Sequence, residues 1–129
     1  MNASTHLEHA FLNHFFRNEP VPSPPTLFLH LYISNPTDDD IGTEVAGGAY
    51  APQPITFSEP QQVSGRGQIV NDTEIVYLIA TGRWGEISHW GVRDAEDNLL
   101  AWAPVPTPKL VETGDEAKFR EGVITIAID

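Results

Sequence analysis

Cysteine is absent from this 129-residue chain, so neither disulfides nor thiolate metal sites hold it together, and it can fold in a reducing cytoplasm. Cations are scarce. Seven Lys and Arg stand against 18 Asp and Glu, a formal net charge of −11, and such a field repels a phosphate backbone and argues against nucleic acid as a partner. Apolar runs are short, none approaching the roughly 18 residues that cross a bilayer. The N-terminus lacks the basic start and apolar centre of a secretion signal, so the chain is read as soluble and unprocessed, with no membrane partner. Also missing are a G-x-S-x-G elbow, an HExxH pair, a phosphate-binding loop and a dinucleotide glycine pattern. No catalytic residue, metal ligand or cofactor is expected.

One helix is expected, over residues 4 to 16. Thr5 with Glu8 three positions later forms a capping box, and Leu7, Ala10, Phe11, His14 and Phe15 recur at helical spacing. Leu12 and Phe16 broaden this stripe beyond what one small core needs. Leu7, Phe11, Leu12, Phe15 and Phe16 are therefore the candidate residues for contact with a second copy or with another protein of an assembly. Prolines at 20, 22, 24 and 25 end the helix and impose an extended connector. Residues 1–25 are thus expected to form a helix with a proline-rich arm, and residues 26–129 a single domain, the size being right for one modest core.

Within 26–129 short strands alternate with turn signals, which predicts an all-β, antiparallel β-sandwich of jelly-roll or Ig-like type. Leu27, Leu29, Leu31 and Ile33 point one way and Phe28, His30 and Tyr32 the other; with both faces apolar, this is a central strand. Pro52 and Pro54 confine the next strand to an edge, with Ile55 and Phe57 inward. A strand is expected over 75–79, with Ile75, Tyr77 and Ile79 opposite Val76 and Leu78. Another carries Ile87, His89 and Gly91 on one face and Ser88, Trp90 and Val92 on the other. Leu99–Ala103 is expected to be stopped by Pro104, Pro106 and Pro108, and Ile124, Ile126 and Ile128 share one face of the last strand. The expected core is Leu29, Leu31, Phe57, Tyr77, Trp90, Phe119, Ile124 and Ile126.

Three groups could carry chemistry. Ser88, His89 and Asp94 contain the residue types of a nucleophilic triad, but adjacent strand residues point to opposite faces, so Ser88 and His89 are expected not to meet. His6, His9 and His14 lack the i, i+4 pair that aims two imidazoles at one ion. The loop with Asp38, Asp39, Asp40 and Glu44 lacks EF-hand spacing, so a solvated acidic loop is expected. Trp84, Trp90 and Trp102 could stack on sugar rings, or fill the core as tryptophans in small sandwiches do.

The order of these features resembles a family of small tailed-bacteriophage virion proteins of the tail fibre, minor tail and head-decoration type. The matching positions are Asn13-His14 in the helix, Ser34-Asn35-Pro36, Gly47, Gly48, Tyr50, Phe57 and Asn71. They continue with Trp84-Gly85, His89, Gly91 and Asp94, and close with Lys109, Gly114-Asp115, Phe119 and Gly122. Pro52 departs from the pattern, which has an arginine two residues after the tyrosine. The resemblance implies a non-enzymatic structural protein located in the virion and assembled in the host cytoplasm. Its partners would be phage capsid or tail proteins; the surplus apolar surface of Leu12 and Phe16 and the two-sided apolar strand at 27–33 add further copies of the chain itself, three being the preferred number. A domain of this size spans only about 40 Å, which favours a head-decoration (cement) protein on the capsid surface. A tail fibre or minor tail protein with a host-attachment role is the alternative, and a carbohydrate-binding module that takes a host surface glycan is a further one.

Overall fold

The computed structural model describes residues 1–21 and 26–129; the connector prolines 22, 24 and 25 lie outside the described residues. A two-residue strand β1 (Asn2–Ala3) leads into helix α1 (Thr5–Arg17). The strands β2 (Leu27–Tyr32), β3 (Gln53–Ile55), β4 (Gln61–Val63), β5 (Arg66–Val70) and β6 (Ile75–Val76) follow. They are succeeded by β7 (Gly85–Asp94), β8 (Leu99–Val111), β9 (Lys118–Phe119) and β10 (Thr125–Ile128). Every pairing is antiparallel. The order is β1-β8-β7-β2-β3 in the main sheet, β10-β5-β4 in a second, and β6-β9 in a third. The molecule is therefore all-β and sandwich-like, with one short helix.

Strand β2 is interior because it is apolar on both faces, and β7 and β3 flank it. Leu29 and Leu31 are fully buried in the core, where Ile55, Ile87, Trp90, Val92, Ala103 and Val111 join them from the same sheet. The smaller sheets close over them with Ile75, and with Phe119 and Ile126, which pack against the cluster partly buried; Phe57 sits likewise. Tyr77 and Ile124 are buried in the same cluster. Tyr77 donates its hydroxyl to the Leu29 carbonyl and lies between Tyr50, stacked at 6.0 Å, and Phe119. A phenol can occupy this depth only because its one polar group has a partner.

Two glycines are needed for close approach. A Cβ on Gly48 would sit 2.7 Å from the Gly82 carbonyl and 2.9 Å from the Trp84 indole, whose N–H donates back to the Gly48 carbonyl at 2.8 Å. A Cβ on Gly91 would strike the Tyr32 ring at 2.8 Å, so the glycine is what lets that ring lie flat over the outer face of β7.

Several expectations change. Helix α1 is capped one residue earlier than the Thr5 box implies: Ser4 Oγ accepts the Leu7 N–H at 3.0 Å, and the Ser4 hydroxyl and backbone N–H reach the carbonyls of Leu99 and Leu100. Ser4 is buried, and the sheet decides which residue caps. The beginning of the expected arm is not held apart from the sandwich, because Asn2 and Ala3 pair with Trp102 and Ala101 and make β1 an edge of the main sheet. Strand β6 is only two residues long. After it the Tyr77 and Ala80 N–H groups turn to the carbonyls of Ala117 and Asp115, and Leu78 and Ile79 between them are pushed into solvent.

The prolines do not stop β8 at Ala103. Pro104 lies opposite His89, but the next registered pair is Lys109 with Ile87, so residues 105–108 fall outside that ladder and their prolines remove no N–H it would use. The same irregularity resets β7. The register of β7 against β8 shifts between Ile87 and His89, the extra residues lying on β8, and Ile87, Trp90 and Val92 all face the core instead of dividing between two faces. Ile128, expected with Ile124 and Ile126 on a buried face, is more than half exposed at the end of β10.

Replacing Trp90 by alanine should cost about 3–5 kcal/mol, a large share of the 5–15 kcal/mol that a domain holds. Gly91→Ala should also be clearly destabilising, because the added carbon meets a ring that is itself pinned. Ile41→Ala, at a side chain 74% exposed, should stay within about 0.5 kcal/mol of the parent. Denaturant melts of the three variants check the order.

Candidate functional surface

The outer face of the main sheet, away from the core, carries Phe28, His30 and Tyr32 from β2 and His89, Gly91 and Arg93 from β7. A buried Arg93 there would be costly unless fully paired. It is fully paired. Its Nε donates to Asp97 Oδ1 at 2.8 Å, Nη1 to Tyr32 Oη at 2.9 Å and to Asp40 Oδ1 at 2.7 Å, and Nη2 to Asp40 Oδ2 and to the Asp97 carbonyl, each at 2.7 Å. All five guanidinium N–H groups are used, two of them in a bidentate grip on Asp40. The bonds to Asp40 hold the Arg93 proton more firmly than in water, against the opposing effect of burial, while burial pushes the Tyr32 hydroxyl up to about 12.

A second set sits beside it. Glu44 Oε2 accepts from His30 Nδ1 at 2.7 Å and from the Tyr50 hydroxyl at 2.6 Å, and the same hydroxyl accepts the Leu31 N–H at 3.0 Å. Tyr50 thus satisfies an N–H of β2 beyond the end of β3. Burial pushes the Glu44 carboxyl up, but the bonds from His30 and Tyr50 outweigh it and hold the group below its ordinary value. Asp38 accepts the Trp102 indole N–H at 2.9 Å. The loop expected to be solvated is instead tied to the sheet through Asp38, Asp40 and Glu44, and it brings the helix start with it, the Thr5 N–H donating to the Asp38 carbonyl at 2.9 Å. Among the described residues no group of three or more His, Asp or Glu side chains is placed to hold a metal ion.

Ser88 and His89 do meet. Ser88 Oγ lies 2.8 Å from His89 Nδ1, where the register shift between Ile87 and His89 breaks the alternation that would have parted them. The third member stays away: Asp94 closes the β7–β8 turn, its carboxylate accepting the N–H groups of Glu96 and Asn98. His89 stacks near Trp102 at 5.9 Å, and burial lowers its tendency to protonate. Among the described residues no carboxylate is bonded to His89. The tryptophans do not form one platform, since Trp84 and Trp90 are in the core and only Trp102 is partly exposed.

Helix α1 lies along β8, and none of its residues is buried. Leu7, Ala10 and Asn13 are half-buried. Phe11, Leu12, Phe15 and Phe16 are 39%, 53%, 67% and 76% exposed. The Phe11 ring stands 4.9 Å from Phe15 and 6.5 Å from Phe16, so the four make one apolar crescent. Beside it, Leu7, Phe11 and Leu12 form one wall of a cleft of about 550 Å³, with Ile126 and Ile128 of β10 on the other side and Glu8 and Asp129 among its polar lining. The helix half of this surface is legible from its spacing; the β10 half is not, because Ile126 and Ile128 read simply as core. Arg93 escapes sequence reading as well, although a lone cation between two acidic loops, Asp38–Asp40 and Asp94–Asp97, is the signal that could have found it.

Arg93→Ala should cost about 3 kcal/mol, the low end for breaking a buried pair because both aspartates keep some water. Stability should also fall towards both pH extremes. Glu44 and Asp94 are held below their ordinary values of 4.5 and 3.8, so their contribution is complete above those values and is lost as pH drops through the lower, folded ones. All three tyrosines, 32, 50 and 77, are raised above 10.0, so the unfolded chain releases protons first and stability declines as pH climbs beyond about 10. Melting temperatures across the pH range, with phenolate absorbance appearing only on unfolding, check this.

A family model described as "Podophage GP4 fiber I protein gp80" matches residues 2–127, a span that includes β1, the helix and nearly all of β10. No curated protein matches the chain.

Proposed function

Since this chain belongs to the podophage GP4 fiber I protein family, it is a structural phage protein of the virion, and we propose that it is a fibre component at the tail, not a capsid decoration. The family's description is the observation that carries this reading, because it names a fibre and its match runs through the whole fold. The size argument that placed the chain on the capsid is weaker, since a compact domain can serve as the base or joint of a fibre built with other proteins. Two structural observations support a part whose task is attachment. An apolar crescent of four side chains stands exposed on α1, larger than a free monomer needs. Meanwhile His30 and Arg93 of the outer sheet face are consumed in holding the acidic loop.

A catalytic role finds little support. The Ser88–His89 contact has no acid to orient the imidazole, and Nδ1 is the nitrogen turned to the serine, so a base of the usual triad geometry is not assembled. A glycan-binding role loses its platform with Trp84 and Trp90 in the core. The partners proposed are other tail proteins and further copies of the chain.

Labelling purified particles with an antibody to this chain and counting its copies tests the location. Label at the tail, with a small copy number, is expected. Label covering the head in hundreds of copies would return the protein to capsid decoration. His89→Ala should leave particle assembly and adsorption unchanged; loss of a polysaccharide-degrading activity in that variant, with particles intact, would establish an enzyme.

A further inference from the structure

The crescent and the cleft are neighbours on one helix but are not the same surface. Phe15 and Phe16 stand beyond the cleft, whose lining on the helix stops at Phe11 and Leu12. From these facts we propose that the cleft between α1 and β10 receives the Phe15–Phe16–Arg17 end of the helix of a second copy, head to tail.

Charge selects a second copy as the occupant. Most of the molecule repels itself, but residues 1–21 carry only Glu8, Glu19 and Arg17, so ten of the eleven net negative charges lie elsewhere. The helix is where two copies of an acidic chain can come together at least cost. The complementarity is also local. Glu8 and Asp129 line the cleft, Asp129 already lying 3.5 Å from Arg66 of its own chain, and the segment that would enter ends in Arg17, the helix's one permanent cation. Two aromatic rings followed by a cation thus meet two apolar walls edged by carboxylates. Apolar area would supply most of the affinity, and the rim charges the direction.

Strand addition along β8 is a poor route to association. Beyond its pairing with β1, the edge of β8 carries Pro104, Pro106 and Pro108, which cannot donate to an added strand. A head-to-tail contact joins unlike surfaces, so it closes either when two copies exchange helix ends reciprocally or when more copies form a ring. How copies meet does not depend on where in the virion they sit.

The absence of cysteine makes the test direct. The single variants Phe16→Cys and Ile128→Cys are purified separately and oxidised alone and mixed. The expected result is a cross-linked pair only in the mixture, and a solution mass of two copies or more for the parent protein at micromolar concentration. Phe15→Ser or Phe16→Ser should weaken association about ten- to hundredfold, with the melting temperature kept. Arg17→Glu should weaken it a few-fold, and Glu8→Arg added to it should restore it. Cross-linking of Phe16→Cys with itself but not with Ile128→Cys would overturn the arrangement in favour of a symmetric helix pair. A parent protein that remains monomeric at high concentration would overturn self-association through the cleft altogether. Either failure leaves the fibre assignment standing, because that rests on location in the particle.

Discussion

The outer half of this protein depends on Arg93. Its guanidinium joins three segments that are distant in sequence: the central strand through Tyr32, the acidic loop through Asp40, and the β7–β8 turn through Asp97. A five-donor planar group is suited to this, since each acceptor fixes the direction of the others. An ion pair of this kind adds little net stability over an apolar equivalent, but removing one side of it is expensive. Its main effect is to specify an arrangement. With Asp40 held, Asp38 is positioned under the Trp102 indole and the loop carbonyl meets the Thr5 amide, so the position of the helix start traces back to one arginine on β7, six elements along the chain.

A second anchor holds the same helix from the opposite direction. Ser4 is buried and bonded to the carbonyls of Leu99 and Leu100 as well as capping the helix, while Asn2 and Ala3 extend the main sheet. Among the described residues the helix is therefore pinned most firmly at its N-terminal end. Its other end, with Phe15 and Phe16, has an Asn18 cap in the left-handed conformation that halts it in solvent. Anchoring at one end and exposure at the other is the expected arrangement for an element that reaches outward.

Much of the core was readable from period alone. Leu29, Leu31 and Ile124 are fully buried, and alternation together with side-chain size is the signal that marks them. Errors arose where the register of two strands shifts. Between Ile87 and His89 the ladder slips, with the surplus residues 105–108 on β8, and Trp90 and Val92 come onto the face of Ile87 while Ser88 comes against His89. The candidate surface was half legible for a related reason. Helical spacing exposes the surplus of Phe15 and Phe16, but a cleft requires knowing that β10 passes alongside, and that is tertiary information. Arg93 is similar, as its partners lie 53 residues before it and four after it.

The proline-bearing rim of β8 has a consequence for handling as well as for architecture. Backbone-to-backbone addition of strands yields contacts that are hard to undo and tend to grow without limit. A chain that denies this route along its longest strand favours side-chain contacts there, whose strength follows apolar area and salt and is reversible under mild conditions. Such a protein can be concentrated on a growing particle, joined, and corrected when misplaced, with one route fewer by which crowding turns a misfit into a fibril.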